Sequence, residues 1–455
     1  MLGYLPDKTF LFVVLAELIL LISALFVSFF FTLVVFLCLA AIIISLTGRS
    51  PIVYLVGFAV TAVCVLWEFY SENTLLFFVQ DIFLALCLYI FILFLISGTR
   101  LTLPWKGITK SLGIFVVFTL FAGLVGFYYG RSPQIILLEL HMLLYFFFYF
   151  ILLATLRTVE ESKLLVKFVL IGGGIVCLQY IILLVAEERF FRVATFHADM
   201  FPLLLGISVA AAIYARMASQ RLFAISLSIM LAVGLVISLT RAEWAASGVV
   251  VLTLFVLLII DKRIRVQTWL VAAILPVIII GIIVVLDPSI TSDILTLKAT
   301  QKVAQRAETI SNAEQDASLM MRVELANSAF QRFRQYPILG AGLGDLVSYK
   351  IFSHARIWSL DTSHLYVLWK MGLIGFAVYI VFLITILKRS YYVLKNTREI
   401  FFKWISAGVF SGFCGLFLLS FFSSALTKYN LNLVWAVCLA VVEYGALQIP
   451  KQREK

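Results

Sequence analysis

The sequence predicts an all-α, polytopic transmembrane bundle of about 12–14 spans with one large extracytoplasmic loop. Three observations lead to it. The chain is 63% hydrophobic and only 13% charged, with a mean hydropathy of +1.09, whereas soluble domains carry roughly 25% charged residues. Apolar runs of about 20 residues, long enough to cross ~30 Å of hydrocarbon as helix, recur along almost the whole chain, and β-barrel strands would read instead as short alternating segments. A single polar stretch, 287–363, is long enough to hold structure outside the membrane, so residues 1–455 form one membrane domain with that loop inserted.

Spans are expected at 10–26, 28–46, 52–70, 75–97, 109–128, 134–155, 164–186, 200–216, 221–239, 242–260, 267–286, 364–387, 402–426 and 430–448. The first two form a nearly unbroken apolar stretch, readable as a hairpin or as one long tilted element. That stretch lacks a small-residue cleavage site and is read as retained. All six cysteines (Cys38, Cys64, Cys87, Cys177, Cys414, Cys438) lie in apolar runs without metal-like spacing, as expected of small packing residues.

Lys and Arg alternate between connections. Arg49, Arg100, Lys106, Arg157, Arg216, Lys262, Lys388 and their neighbours fall on one side, and the facing short connections hold only Arg131, Arg189, Arg192, Arg241 and Lys428. By the positive-inside rule both termini are expected in the cytoplasm and the 287–363 loop outside. The formal charge of +11 is dispersed through short loops, so it points to orientation and anionic lipid headgroups as partners and not to nucleic acid.

The few outward cations are the candidates for chemistry. Arg241 lies between two spans at headgroup depth, Arg189 and Arg192 lie in the preceding outer connection, and Arg322 lies in the long loop. A guanidinium fork binds phosphate oxygens bidentately, as a pyrophosphate site requires; the competing role for any one of them is snorkelling or a salt bridge, such as Arg241 with Glu243. His364 opens a span at the outer interface, where an imidazole can take a proton from a hydroxyl or serve as a polar anchor. Glu139 and His141 fall on different sides of a span and suggest a buried polar network. Glu17 and Asp81 are intramembrane carboxylates, readable as proton relays or helix contacts. There is no paired-acid motif, P-loop or His/Cys cluster in the outer loops, so neither metal nor cofactor is implied. Within the long loop Leu319, Ala326, Phe330 and Phe333 recur at helical spacing among polar residues, predicting an amphipathic interfacial helix that Pro337, Gly340, Gly342 and Gly344 terminate.

Ser238-Leu-Thr-Arg241 opening a span, Arg322 followed by amphipathic helix, Tyr336-Pro-Ile-Leu-Gly-Ala-Gly-Leu-Gly344, and His364 ahead of Met371-Gly-Leu-Ile-Gly375 resemble the O-antigen ligase and O-antigen polymerase family over residues 195–387. The resemblance implies an inverting, metal-independent glycosyltransferase of the bacterial plasma (inner) membrane. Such an enzyme moves a glycan from undecaprenyl pyrophosphate, at the periplasmic face, to an acceptor hydroxyl. That acceptor is lipid A core oligosaccharide in the ligases of lipopolysaccharide synthesis and another lipid-linked glycan in the polymerases. By the same resemblance Arg241 and Arg322 would clamp the pyrophosphate, with Arg189 and Arg192 assisting, and the catalytic His364 would orient or deprotonate the acceptor. Two departures stand out: Glu243 follows Arg241 closely and is expected to neutralise part of the site, and Leu365 follows the histidine where the family commonly has Asn.

A second class remains open, a transporter or flippase of lipid-linked oligosaccharide or a small anion using the same arginines as transit sites. It calls for internal repeats and broken helices meeting at the bilayer midplane. No repeat is visible, and the one-sided loop favours the enzyme. A non-catalytic scaffold would leave the outward arginines unexplained.

Overall fold

The computed structural model describes residues 103–185, 198–238, 240–260, 317–348, 356–357 and 360–453, together with Val56 and Ile92. The spans expected at 10–26, 28–46, 52–70, 75–97 and 267–286, with Glu17 and Asp81, lie outside the described residues, apart from Val56 and Ile92.

The described helices are α1 (Gly107–Tyr128), α2 (Pro133–Leu144), α3 (Phe147–Thr155), α4 (Val159–Val185), α5 (Phe201–Tyr214), α6 (Ala218–Ile237), α7 (Arg241–Ile260), α8 (Ala317–Gln335), α9 (Ser363–Asn396), α10 (Ile400–Leu419) and α11 (Tyr429–Arg453). A two-residue antiparallel pair, β1 (Val347–Ser348) with β2 (Arg356–Ile357), closes part of the long loop. Among the described residues, seven stretches are long and apolar enough to cross a membrane. The chain is thus a multi-pass membrane protein whose described spans are all helices.

α5 is the centre. Almost every residue of it is buried, against α10, α6 and α7. Apolar side chains gain nothing by leaving lipid for protein, so close helix contact must come from small residues that let backbones meet. That is the sequence logic of α10: Gly408 abuts the Ile207 backbone and Gly412 the Leu203 Cα, leaving no room for a Cβ at either position.

α9 is not one continuous helix. Gly372 adopts φ 65° and ψ −167°, a backbone region open essentially to glycine alone. Four main-chain groups at the break are taken by the Tyr336–Gly344 segment. Ala341 N–H donates to the Trp369 carbonyl (2.9 Å) and Gly342 N–H to the Lys370 carbonyl (3.0 Å), while the N–H groups of Leu373 and Ile374 donate to the carbonyls of Pro337 (2.8 Å) and Ile338 (3.3 Å). Leu373 and Ile374 are the residues that would have paired with Trp369 and Lys370 in an uninterrupted helix. The loop therefore inserts itself into the α9 hydrogen-bond ladder, and Leu343 N–H continues to the Ala122 carbonyl of α1 (3.0 Å).

Buried charges hold the inserted loop. Lys370, with no exposed surface, donates to Glu139 Oε1 of α2 (2.6 Å) and to the Asp345 carbonyl (2.6 Å). The other Glu139 oxygen accepts Gly344 N–H (2.6 Å). Asp345, equally buried, accepts from Trp369 Nε1 (2.9 Å) and pairs with Arg131 Nη2 (2.8 Å) and more loosely with Arg332 Nε (3.6 Å). The polar network expected around Glu139 thus exists, with Lys370 as its cation. At the opposite end Arg389 and Glu443 form a further ion pair (2.6 Å), and Glu443 also receives Ile108 N–H at the start of α1 (3.2 Å).

One expectation needs correction. The span expected at 364–387 runs from Ser363 to Asn396 and is interrupted, because Gly372 accepts a conformation for which the loop supplies the missing partners. α8 forms as expected. The residues it buries are Leu325 and Ala329, on the face that meets α9 and β1, whereas Phe330 is 41% exposed, as suits an interfacial helix, and carries the Arg334 guanidinium 4.9 Å from its ring centre.

Gly372→Ala is expected to lower stability by about 2–4 kcal/mol, since the new methyl meets the Ile338 carbonyl and the φ is wrong for alanine. Thermal unfolding in detergent, read by tryptophan fluorescence, should show a clear loss, whereas Gly248→Ala, where a Cβ meets nothing, should leave the midpoint in place.

Candidate functional site

His364 occupies the second position of α9, whose first turn is fastened to the turn after α10. Ser363 N–H donates to the carbonyls of Ser420 (2.9 Å) and Ser423 (3.2 Å), its Oγ donates to the Ser423 carbonyl (3.0 Å), and the same Oγ accepts Leu426 N–H (3.1 Å). The imidazole is almost fully buried, with Nε2 3.0 Å from the Phe417 carbonyl. A carbonyl can only accept, so Nε2 carries the proton. In the neutral ring the lone pair is then on Nδ1, which has no hydrogen-bond partner among the described residues.

Arg322 of α8 reaches this end of the bundle from the other direction. Its Nε donates to Asp361 Oδ2 at 3.1 Å, two residues before α9 begins. Both side chains are 40–45% exposed, and a pair of that exposure is worth about 0–1 kcal/mol. Asp361 thus orients the guanidinium at little cost to its availability.

Arg241 is the first residue of α7; its side chain lies outside what the structure describes, and Arg189 and Arg192 fall outside the described residues altogether. The backbone start of α7 is nevertheless well connected. Trp244 Nε1 closes the α6–α7 corner on the Leu235 carbonyl (2.8 Å), and Ser238 Oγ donates to Glu243 Oε2 (2.9 Å). Glu243 is buried, with Asp199 and Lys428 as its charged neighbours. Asp199, on the short 3-10 turn Ala198–Met200, accepts from Ser423 Oγ (2.6 Å) and pairs with Lys428. Since the Ser423 carbonyl holds Ser363, an unbroken series of contacts runs from the first turn of α7 through Glu243, Asp199 and Ser423 to Ser363 and His364. The structure therefore brings together the start of α7, Arg322 and His364 at one end of the bundle.

Sequence reasoning missed Asp199, Ser423 and Asp361, which position the site. A usable signal existed: Lys428 and Arg131 break the charge alternation, and a cation kept on the wrong side needs a carboxylate. Asp199 and Asp345 are those carboxylates. Glu243, expected to offset the arginines, accepts from Ser238 and lies beside the Asp199–Lys428 pair. Among the described residues no cluster of three or more His, Cys, Asp or Glu is arranged to hold a metal.

Residues 225–380, about a third of the chain, match the family model described as O-antigen ligase. The matched stretch begins in α6 and ends in α9, and so contains Arg241, Arg322, the inserted loop and His364. No curated protein matches the chain.

Removing the Lys428 ammonium should strand two buried carboxylates. Lys428→Met is expected to cost about 3–5 kcal/mol, and Lys428→Met combined with Asp199→Asn should recover most of it. Thermal unfolding of the two single variants and the double variant closes the cycle; strict additivity would mean the pair is not coupled.

Proposed function

We propose that this protein is a lipid-pyrophosphate-dependent glycosyltransferase, an O-antigen ligase or polymerase, working at the outer face of the bacterial plasma membrane with both termini in the cytoplasm. The observation that carries the reading is the meeting of Arg322, the α7 start bearing Arg241, and a His364 whose Nδ1 is unpartnered, all within the stretch similar to O-antigen ligases.

The donor is an undecaprenyl-pyrophosphate-linked glycan. Arg241 and Arg322 bind the pyrophosphate beside the N-terminus of α7, an end of a helix where anions are favoured. Arg189 and Arg192 are assigned to the same clamp from the sequence. The acceptor, a glycan or lipid A core hydroxyl, gives its proton to His364 Nδ1. Its oxygen attacks the anomeric carbon, and the bond from that carbon to the pyrophosphate oxygen breaks with its electron pair leaving on the pyrophosphate. Configuration inverts because attack comes from the face opposite the leaving group. Guanidinium charge stabilises the departing anion in the role a divalent ion fills elsewhere, so the reaction is metal-independent. The Phe417 carbonyl fixes which nitrogen is the base and stabilises the imidazolium that forms.

The transporter reading has one feature in its favour, the break in α9. In a transit site the freed backbone groups would face substrate. Here four of those groups are bonded to the inserted loop, which favours the enzyme.

The decisive assay is glycan transfer by purified protein from a synthetic undecaprenyl-pyrophosphate oligosaccharide in the presence of EDTA. Wild-type protein should transfer, His364→Ala should lose about 100-fold or more, and Arg241→Ala and Arg322→Ala should each lose about 100- to 1,000-fold while inserting normally. Growth of the donor glycan marks a polymerase and transfer to lipid A core a ligase. Full activity in both arginine variants removes the clamp, and donor crossing a proteoliposome without transfer moves the protein to the transporters.

A further inference from the structure

The His364 imidazole is walled by three rings, those of Tyr379 (centroids 5.7 Å apart), Phe417 (4.8 Å) and Phe421 (4.4 Å, inclined at 62°). Tyr379 is buried, whereas Phe417 is 43% and Phe421 48% exposed. Phe421 is the nearest, and its position is not left to chance. It sits in the turn Ser420–Ser423, whose N–H groups return to the carbonyls of Leu416, Leu418 and Leu419. The carbonyls of Ser420 and Ser423 in that turn hold Ser363. One turn therefore sets both the imidazole and the ring beside it.

The nitrogen to be used in the reaction is sealed and has no partner among the described residues, a state that typically costs about 1–3 kcal/mol. An arriving hydroxyl removes that cost only if it comes past the exposed rings. A sugar ring suits that approach. One of its faces is made of C–H bonds carrying partial positive charge, and the face of a phenyl ring carries the negative part of its quadrupole. A pyranose lying on Phe421 places a hydroxyl within hydrogen-bond reach of an imidazole centred 4.4 Å from that phenyl ring.

Resting on the transferase reading above, we infer that Phe421 is the platform on which the acceptor sugar stacks, and so sets affinity for the acceptor without contributing to donor binding. The platform requires a π face and not merely apolar cover, which separates it from a ring that shields His364 or touches the donor's polyprenyl chain.

The test measures initial rates with the synthetic undecaprenyl-pyrophosphate oligosaccharide as donor and two acceptor probes, the same oligosaccharide on an alkyl aglycone and lipid A core. Whichever probe the wild type uses is then titrated. Phe421→Ala and Phe421→Leu should each raise the acceptor KM at least tenfold, with donor KM and kcat at saturating acceptor within twofold. Phe421→Tyr and Phe421→Trp should stay close to wild type, as should Phe422→Ala, which removes an equally exposed neighbour. A Phe421→Leu variant with normal acceptor KM overturns stacking, and a change in donor KM alone assigns the ring to the lipid chain and overturns the platform. Should Phe421→Ala fail to fold, the Leu and Tyr variants carry the comparison. Wild-type protein that transfers to neither probe defeats the transferase reading itself, a result distinct from any of these.

Discussion

The exchange of main-chain hydrogen bonds between the Tyr336–Gly344 loop and the interrupted α9 is the constraint on which the rest depends. At membrane depth an unpaired N–H or carbonyl costs several kcal/mol, so a helix broken in that setting survives only if something rebuilds the ladder. The loop does so by direct substitution: its two donors take the Trp369 and Lys370 carbonyls, and its two acceptors take the Leu373 and Ile374 N–H groups. Glycine is required on both strands of this contact: Gly340 sits against the Lys370 carbonyl and Gly372 against the Ile338 carbonyl, both with positive φ. The Lys370–Glu139–Asp345 cluster then fixes the loop to α2. Everything at the His364 end, including the direction in which α9 starts, is built on that insertion.

Burial sorts the cations at this end of the bundle into two kinds. Lys370, Lys428 and Arg131 face carboxylates that are buried, and breaking such a pair typically costs about 3–5 kcal/mol. They hold the structure. Arg322 shares a half-exposed pair worth about 0–1 kcal/mol, so an anion with two or more charges competes for it readily. The difference of several kcal/mol is what makes one arginine a candidate ligand and the others part of the frame.

Most of the architecture was legible in the sequence because hydropathy alone places helices in a membrane; the described spans begin and end close to where the apolar runs do. The break in α9 was not. Met371-Gly-Leu-Ile-Gly375 reads equally well as small-residue packing inside a straight helix, and the partner that makes a break tolerable lies about thirty residues earlier in the chain. Among the candidate site residues, Arg322 and His364 could be read from charge and position. For Asp199 the one signal was the outward Lys428, which calls for a carboxylate but does not say which, since it and Ser423 are more than two hundred residues away.

For the proposed reaction, the first turn of α9 is the fixed point between two substrates. Inversion demands that nucleophile and leaving group occupy opposite sides of one carbon, so the base and the pyrophosphate clamp must be carried by different elements at a constant separation. Asp361, just before α9, engages Arg322 of α8, and His364, just after its start, is fixed by the Phe417 carbonyl of α10. The two contacts are three residues apart on the same short piece of backbone, and that piece is itself tied to the Ser420–Ser423 turn and, through Asp199 and Glu243, to the helix that begins with Arg241. A rigid start to α9 thus sets the donor and acceptor sides at once, while the half-exposed Arg322 and Phe421 remain free to meet what binds there.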